Sequence, residues 1–139
     1  MSPVVVLDAE QRSALAVVRS LGRRGISVIT ASHVEKPLAS ASRYSQRCIQ
    51  VPSPTWQLQE LQARLLQVCE IGQVWPVTDT SATLIAQTDL PESAVIATAP
   101  RAQYLFVSRK DYLFDLADRC GVPVPTRRIA VTAADVSMA

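Results

Sequence analysis

The chain has 139 residues, of which 48% are hydrophobic and 19% charged, an ordinary composition for a globular domain with a substantial core. Its formal net charge of +2 is too small to indicate a nucleic acid or an anionic membrane as a partner. No apolar run approaches the roughly 18 residues of a membrane span, and the first residues do not have the pattern of a signal peptide.

The first predicted strand covers residues 4–7, a β-branched run that is continuous enough to be buried on both faces. A helix follows, and we expect Asp8 to cap it, with Gln11 as its partner in a capping box. Gly25 is expected to end this helix in a left-handed conformation. Its apolar stripe consists of Ala14, Val17, Val18 and Leu21.

Two further strands are predicted at residues 27–31 and 47–51. Pro52 stops the second of these, which favours a position at the edge of the sheet. The next helix is expected to have Ser53 as its cap and Pro54 as its first residue. Its core stripe consists of Leu58, Leu61, Leu65 and Val68.

The second half of the chain continues the alternation. We predict a fourth strand at residues 74–77, a short helix at 80–87 and a fifth strand at 94–98. Ser108 and Asp111 are expected to form a capping box at the start of a last helix. That helix has an apolar stripe of Leu113, Leu116, Ala117 and Cys120.

This rhythm of strands and helices predicts an α/β fold made of successive βαβ units with right-handed crossovers. The expected architecture is a three-layer, Rossmann-like sandwich with a mostly parallel sheet of about five strands. Ligands bind such sheets beyond the carboxyl ends of the strands, where the strand order reverses. If the order is 3-2-1-4-5, this crevice lies between the first and fourth strands.

Polar residues follow both of these strands. Asp8 and Arg12 come after the first, and Thr78, Asp79 and Ser81 after the fourth. We name Asp8, Arg12, Thr78 and Asp79 as candidate substrate-binding residues. Each also has a structural alternative, since the two aspartates are plausible helix caps and Arg12 could simply solvate a helix face.

Several sharper functional motifs are absent. The turn after the first strand has no glycine, so the G-x-G-x-x-G dinucleotide fingerprint is missing, and no G-x-x-x-x-G-K-[ST] loop occurs. No nucleophile motif accompanies the single histidine, His33, which favours local hydrogen bonding over catalysis. The segment 42–44, Ser-Arg-Tyr, could contact an anion or be an ordinary exposed loop.

The three cysteines, Cys48, Cys69 and Cys120, are odd in number and have no C-x-x-C spacing. We interpret them as buried, reduced thiols rather than disulfide partners or metal ligands. Together with the pattern at the N-terminus, they lead us to expect a cytoplasmic protein.

Residues 108–125 read Ser-Arg-Lys-Asp-Tyr-Leu-Phe-Asp-Leu-Ala-Asp-Arg-Cys-Gly-Val-Pro-Val-Pro. They resemble the junction of the ATP-grasp superfamily, where a basic residue opens a helix and a G-[VI]-P-x-P-like element leads into the ATP-binding lobes. Residues 7–15, 42–44 and 76–79 resemble the preceding, pre-ATP-grasp domain of carboxylate–amine ligases similar to the carbamoyl-phosphate synthase large subunit. The resemblance covers nearly the whole chain.

The resemblance implies an ATP-dependent ligase that activates a carboxylate as an acyl phosphate and joins it to an amine or ammonia. ATP and Mg²⁺ (or Mn²⁺) are then the cofactors of the full-length enzyme. Lys110 matches the residue that reaches the nucleotide phosphates from the start of the connecting helix, and Arg109 could share that role. No catalytic residue and no metal ligand is assigned within this chain.

The resemblance also divides the chain. Residues 1–107 correspond to the pre-ATP-grasp domain, 108–125 to a connecting helix and proline linker, and 126–139 to the start of a truncated ATP-grasp domain. A strand is predicted at residues 126–131, followed by a capping box at 132–135. We therefore expect this chain to be a fragment that is not catalytic alone.

The expected partners are a small carboxylate, an amine and the missing ATP-grasp lobes, and not nucleic acid or a membrane; a homodimer is left open. Two alternatives also remain open. The chain could be a self-sufficient Rossmann-like module that binds a nucleotide or small ligand, or a non-enzymatic interaction domain. The capping box at 132–135 favours the ligase, because a complete module should end after its last sheet-packing helix.

Overall fold

A computed structural model describes residues 2–127 and residue 130. The chain forms two compact units, Met1–Arg101 and Ala102–Ala139. The predicted boundary between residues 107 and 108 stays a prediction. Apart from Thr126, Arg127 and Ala130, the predicted strand at 126–131 lies outside the described residues, and so does the capping box at 132–135.

The first unit is built on a parallel sheet of four strands in the order β3-β2-β1-β4. The strands are β1 (Val4–Val6), β2 (Val28–Ser32), β3 (Ser45–Gln50) and β4 (Gln73–Trp75). β1 and β2 are buried along their whole length, as their β-branched residues predict, and β3 lies at the edge. The predicted α/β fold and the central part of the predicted strand order are therefore confirmed.

The predicted fifth strand is reduced to one residue. Ile96 forms an isolated parallel bridge with Val74, whose N–H donates to the carbonyl of Val95 and whose carbonyl accepts from the N–H of Ala97. β4 is itself only three residues long, so it offers little backbone for a further strand to pair with.

Three α-helices complete the first unit: α1 (Arg12–Arg23), α2 (Leu58–Ile71) and α3 (Asp79–Gln87). A short 3₁₀ turn lies at Leu38–Ala41. α4 (Arg101–Val107), which the sequence did not predict, begins at the last residue of this unit, and α5 (Lys110–Arg119) belongs to the second unit.

The sheet separates two apolar clusters, which makes the first unit a three-layer sandwich. Side chains alternate along each strand, so Val4 and Val6 join α1 on one face while Val5 and Leu7 face α2 and α3 on the other. The stripe predicted for α1 is buried at Ala14, Val18 and Leu21, and that of α2 at Leu61, Leu65 and Val68. Leu58, the first residue of the predicted α2 stripe, is 46% exposed.

The predicted start of α2 is wrong by several residues. Ser53 organises a turn that precedes the helix: its hydroxyl accepts from the N–H of Thr55 at 3.3 Å, and its own N–H donates to Oε1 of Gln57 at 3.3 Å. Helical structure begins only at Leu58. Ser and Pro are as suitable for a turn as for a helix start, so the local pattern could not distinguish the two.

The predicted capping box at the start of α5 is also absent. The hydroxyl of Ser108 donates to the carbonyl of Leu105 at 3.1 Å, and the carboxylate of Asp111 is bound by Arg109. The residue at the N-cap is Arg109, which provides no side-chain cap.

The predicted burial is wrong for two of the three cysteines. All three thiols are free, but Cys48 and Cys120 are exposed rather than buried. Cys69 is half-buried, and this burial raises the pKa of its thiol.

Gly72 allows the start of β4 to lie close to the start of β1. A Cβ atom at this position would lie 2.0 Å from the carbonyl oxygen of Pro3, which accepts a hydrogen bond from the N–H of Gln73 at 3.0 Å. Only a residue without a side chain can occupy this place while Val4 and Gln73 are paired.

We predict that Gly72→Ala lowers the free energy of unfolding by about 2–4 kcal/mol, because the methyl group forces the two strands apart and weakens the hydrogen bond to Pro3. Gly25→Ala is the matched control: no atom lies within 4 Å of the added Cβ, and only the φ of +76° is strained. It should lose about 1 kcal/mol. Urea unfolding followed by circular dichroism measures both, and an equal loss would contradict the steric explanation.

Candidate functional site

Asp8 lies at the carboxyl end of the sheet, between the ends of β1 and β4. Its side chain is buried, with the residue only 6% exposed. One carboxylate oxygen accepts from the N–H groups of Val77 and Thr78 at 3.0 and 2.8 Å. The other accepts from the hydroxyl of Ser81 at 2.5 Å. Three donors therefore satisfy both oxygens of a buried carboxylate in the crevice that the strand order predicts.

These hydrogen bonds show that Asp8 caps a different helix from the one predicted. α1 has Gln11 at its N-cap and no side-chain cap, so the predicted box of Asp8 and Gln11 is wrong. Asp8 instead binds the N-terminus of α3, where a negative charge faces the positive end of the helix dipole. The helix lies about 70 residues further along the chain, since Asp8 and Thr78 are separated by 70 positions.

The backbone of Asp8 adopts a conformation that few side chains tolerate. Its φ of +56° is the only positive value among the non-glycine residues that the structure describes. Aspartate is one of the residue types that enter this left-handed region most readily. The sharp turn sends the chain away from β1 while the carboxylate stays aimed at the start of α3.

Thr78 and Asp79 form the start of α3. Thr78 is the N-cap residue, and its hydroxyl oxygen accepts from the N–H of Ser81 at 3.2 Å. Asp79 is the first helical residue and is exposed. The structure thus brings together Asp8, Thr78 and Ser81, with Asp79 beside them on the surface.

Arg12 is the first residue of α1 and is exposed. Within residues 2–127 its guanidinium has no ion pair or hydrogen bond, so its donors are available to an anionic ligand. Of the predicted crevice residues, Arg12 is therefore the one that carries an uncommitted positive charge.

A second hydrogen-bonded group, which the sequence analysis missed, ties β2 to the same turn. The buried hydroxyl of Ser32, at the end of β2, donates to Oε2 of Glu10 at 2.5 Å and accepts from the N–H of Val34 at 3.0 Å. The N–H of Ala9 donates to the carbonyl of Ala31 at 3.1 Å. The sequence shows only that polar residues occur at or after the strand ends. This pattern does not reveal which of these residues form hydrogen bonds with each other.

Lys110 and Arg109, the predicted ATP-binding pair, lie at the start of α5 in the second unit. Arg109 is already engaged: its Nη2 lies 2.5 Å from the carboxylate of Asp111, and its guanidinium lies 4.0 Å from the ring centre of Tyr112. The hydrogen bond from Arg109 lowers the pKa of Asp111. Lys110 is exposed and has no hydrogen bond or ion pair within the part of the chain that the structure describes.

The far end of α5 is closed by a left-handed glycine. Gly121 has a φ of +69°, and the N–H of Val122 donates to the carbonyl of Ala117 at 2.9 Å. This is the Schellman arrangement, which satisfies the last carbonyls of a helix. Arg127 then pairs with Asp115 and Asp118 at 3.0 and 2.7 Å, so the proline-containing segment folds back along the helix.

No group of three or more His, Cys, Asp and Glu side chains within the described ranges is arranged to hold a metal ion. No helix among these residues is long and apolar enough to cross a membrane.

No known sequence family matches the chain, and no curated protein matches it at a significant level. Solved structures do match. The biotin carboxylase domain of a single-chain bacterial carboxylase is similar with a TM-score of 0.63 at 17% identity, and covers 99% of this chain. The biotin carboxylase subunit of a pyruvate carboxylase has a TM-score of 0.60 at 12% identity, again over 99% of this chain.

A third match is the biotin carboxylase domain of a thermophilic 2-oxoglutarate carboxylase bound to bicarbonate, with a TM-score of 0.62, 13% identity and 99% of this chain covered. The chain spans about a third of the length of these three structures, 33%, 32% and 33% respectively. At such identities the likeness demonstrates the fold.

We predict that Asp8→Ala lowers the free energy of unfolding by about 2–4 kcal/mol, because three donors lose a shared acceptor. The amides of Val77 and Thr78 should also exchange faster with solvent. Asp89→Ala is the control, since it removes a carboxylate whose side chain is 97% exposed in a surface pair with Arg101. Its loss should not exceed about 1 kcal/mol. Equal losses in the two variants, by urea unfolding, would show that Asp8 does not anchor α3.

Proposed function

We propose that this chain is the N-terminal, pre-ATP-grasp domain of an ATP-dependent ligase that activates a carboxylate as an acyl phosphate. The observation that carries the proposal is the structural likeness to biotin carboxylases over nearly the whole chain. These neighbours match through their N-terminal domains and are ATP-grasp-family carboxylases. The junction motif at residues 108–125 supports the same assignment.

We further propose that the ligase is similar to carbamoyl-phosphate synthase. The amine that reacts with the activated carboxylate is not assigned. One of the similar structures is described as bound to bicarbonate. Bicarbonate is a small carboxylate, so it is the first substrate to assay. The cytoplasmic location expected from the sequence remains part of the proposal.

In this proposal, the crevice residues have different roles in binding the substrate. Arg12 supplies a free guanidinium that can pair with a carboxylate. Thr78 and Asp79 present polar groups at the start of α3, the helix whose first turn is bound by Asp8. Asp8 has both oxygens occupied by the chain's own donors, so in this proposal it positions α3 rather than contacting the substrate through a free oxygen.

Lys110 would bind ATP phosphate from the second unit, with Arg109 as an auxiliary group. The free ammonium of Lys110 can pair with an anion without breaking an existing contact. Arg109 would first have to leave Asp111. The described residues do not form a metal-binding group, so we assign no step through Mg²⁺ or Mn²⁺ to them.

One observation favours the alternative of a self-sufficient ligand-binding module. A cleft of about 380 Å³ lies between the end of α3 and residues 94–101, within the first unit. Its walls are largely apolar, with Ile85, Leu90 and Ile96 among them. A small apolar ligand that binds here with the isolated chain, and with no effect of ATP, would support this alternative.

We predict that the chain alone does not release phosphate from ATP, whereas a protein that contains it together with ATP-grasp lobes does so when bicarbonate or another carboxylate is present. The reason is that the chain has no triphosphate loop. Release of ADP and phosphate is measured with and without the carboxylate. ATP hydrolysis by the isolated chain that disappears when one of its own residues is replaced would contradict the proposal.

In the same complete enzyme, we predict that Lys110→Ala raises the ATP concentration needed for half-maximal rate by about 10- to 150-fold, the value of one charge-assisted hydrogen bond to phosphate. Lys110→Arg should recover part of the loss, because the charge is retained. Arg119→Ala, at the opposite end of α5, is the control and should have little effect. An unchanged ATP requirement in Lys110→Ala would exclude Lys110 from the nucleotide site.

A further inference from the structure

Tyr44, just before β3, has an arginine stacked on it and bonded to its hydroxyl. Nη2 of Arg43 donates to the phenol oxygen at 2.8 Å, and the centre of its guanidinium lies 4.8 Å from the ring centre. Because the phenol oxygen accepts from Arg43, its own proton remains available for a further acceptor.

A second arginine, Arg23, lies in the last turn of α1, which packs against Tyr44. A Cβ atom at Gly22 would lie 2.4 Å from the Cβ and Cγ atoms of Tyr44, so the last turn of the helix lies directly on this side chain. Arg23 follows Gly22. The pKa of Tyr44 is lowered, chiefly by the hydrogen bond with Arg43 and further by the charges of Arg43 and Arg23.

Within the part of the chain that the structure describes, no acidic residue pairs with this cluster. Arg23 also lines a surface depression on α1 with Arg19 and Arg24, and the lining contains no aspartate or glutamate. Across residues 2–127, none of these three arginines, nor Arg43, forms an ion pair. Arg19 and Arg23 are four positions apart on the helix, where like charges repel each other. An anion would relieve that repulsion.

We propose that Arg23, Arg43 and the hydroxyl of Tyr44 form a binding site for an oxyanion, namely the phosphate group of a small ligand. Two planar guanidiniums offer paired N–H donors that match phosphate oxygens, and the phenol adds a third donor. The site lies at the amino ends of the strands, whereas Asp8 lies at their carboxyl ends. It is therefore separate from the crevice of the proposed ligase function and does not depend on that function.

Inorganic phosphate is the first probe, added to the full chain with labelled tyrosine rings and compared with sodium chloride at equal ionic strength. We expect the Tyr44 signal, identified with Tyr44→Phe, to move and saturate with phosphate only. Arg23→Gln and Arg43→Gln should each weaken binding by about 2- to 5-fold, as for exposed ion pairs, and the double variant by about 4- to 25-fold.

The matched control is Arg64→Gln on α2, which removes the same charge from a side chain that contacts Gln67. It should bind phosphate like the unchanged protein. A Tyr44 signal that responds equally to chloride, or a double variant that binds as well as Arg64→Gln, would overturn the proposal.

Pyrophosphate and a nucleoside triphosphate distinguish the sources of the phosphate group. Binding of either that weakens in the double variant supports a small phosphorylated ligand. A short RNA is the counter-test. The assignment to a small ligand is overturned if this RNA binds much more tightly than pyrophosphate, and if Arg19→Gln and Arg24→Gln weaken its binding as strongly as the double variant does.

Discussion

The carboxylate of Asp8 accepts three hydrogen bonds that join the end of β1 to the first turn of α3. The crevice depends on them, because β4 has only three residues and a single further bridge on its outer side. Without Asp8, the loop between β4 and α3 would be fixed mainly by Thr78 capping its own helix. The buried charge is tolerated because both oxygens are satisfied and face the positive end of a helix.

The sequence was sufficient to predict the sheet and its layers. Four of the five strands predicted for the sheet exist, because runs such as Val4, Val5 and Val6 can be buried only between two helical layers. The crevice between β1 and β4 followed from the general behaviour of parallel sheets. The prediction of a fifth strand was wrong although its own residues have a strand pattern. β4 is too short to pair with it, and the length of a neighbouring strand cannot be read from the local sequence.

The helix starts could not be predicted in the same way. Asp8, Ser53 and Ser108 all stand where a cap is expected, yet each bonds to something else. A side chain of this type satisfies whichever backbone donors tertiary structure brings nearest. The same limit applies to the pairing of Glu10 with Ser32 and to the contact of Gly22 with Tyr44, which join residues 22 positions apart in each case. The arrangement of the candidate sites therefore had to come from the structure.

Asp8 and its hydrogen-bond partners are far apart in the sequence, and this affects the order of folding when the chain is made on the ribosome. Ser81 lies 73 positions after Asp8. A nascent chain that has emerged only as far as β3 contains β1, α1 and β2 but none of the three donors. The carboxylate of Asp8, at the end of β1, therefore stays hydrated until β4 and the start of α3 leave the exit tunnel. Closing so distant a contact is slow relative to local helix formation, which makes it a late event. Burial of Asp8 thus marks the moment at which β4 and the start of α3 have joined the strands made before them.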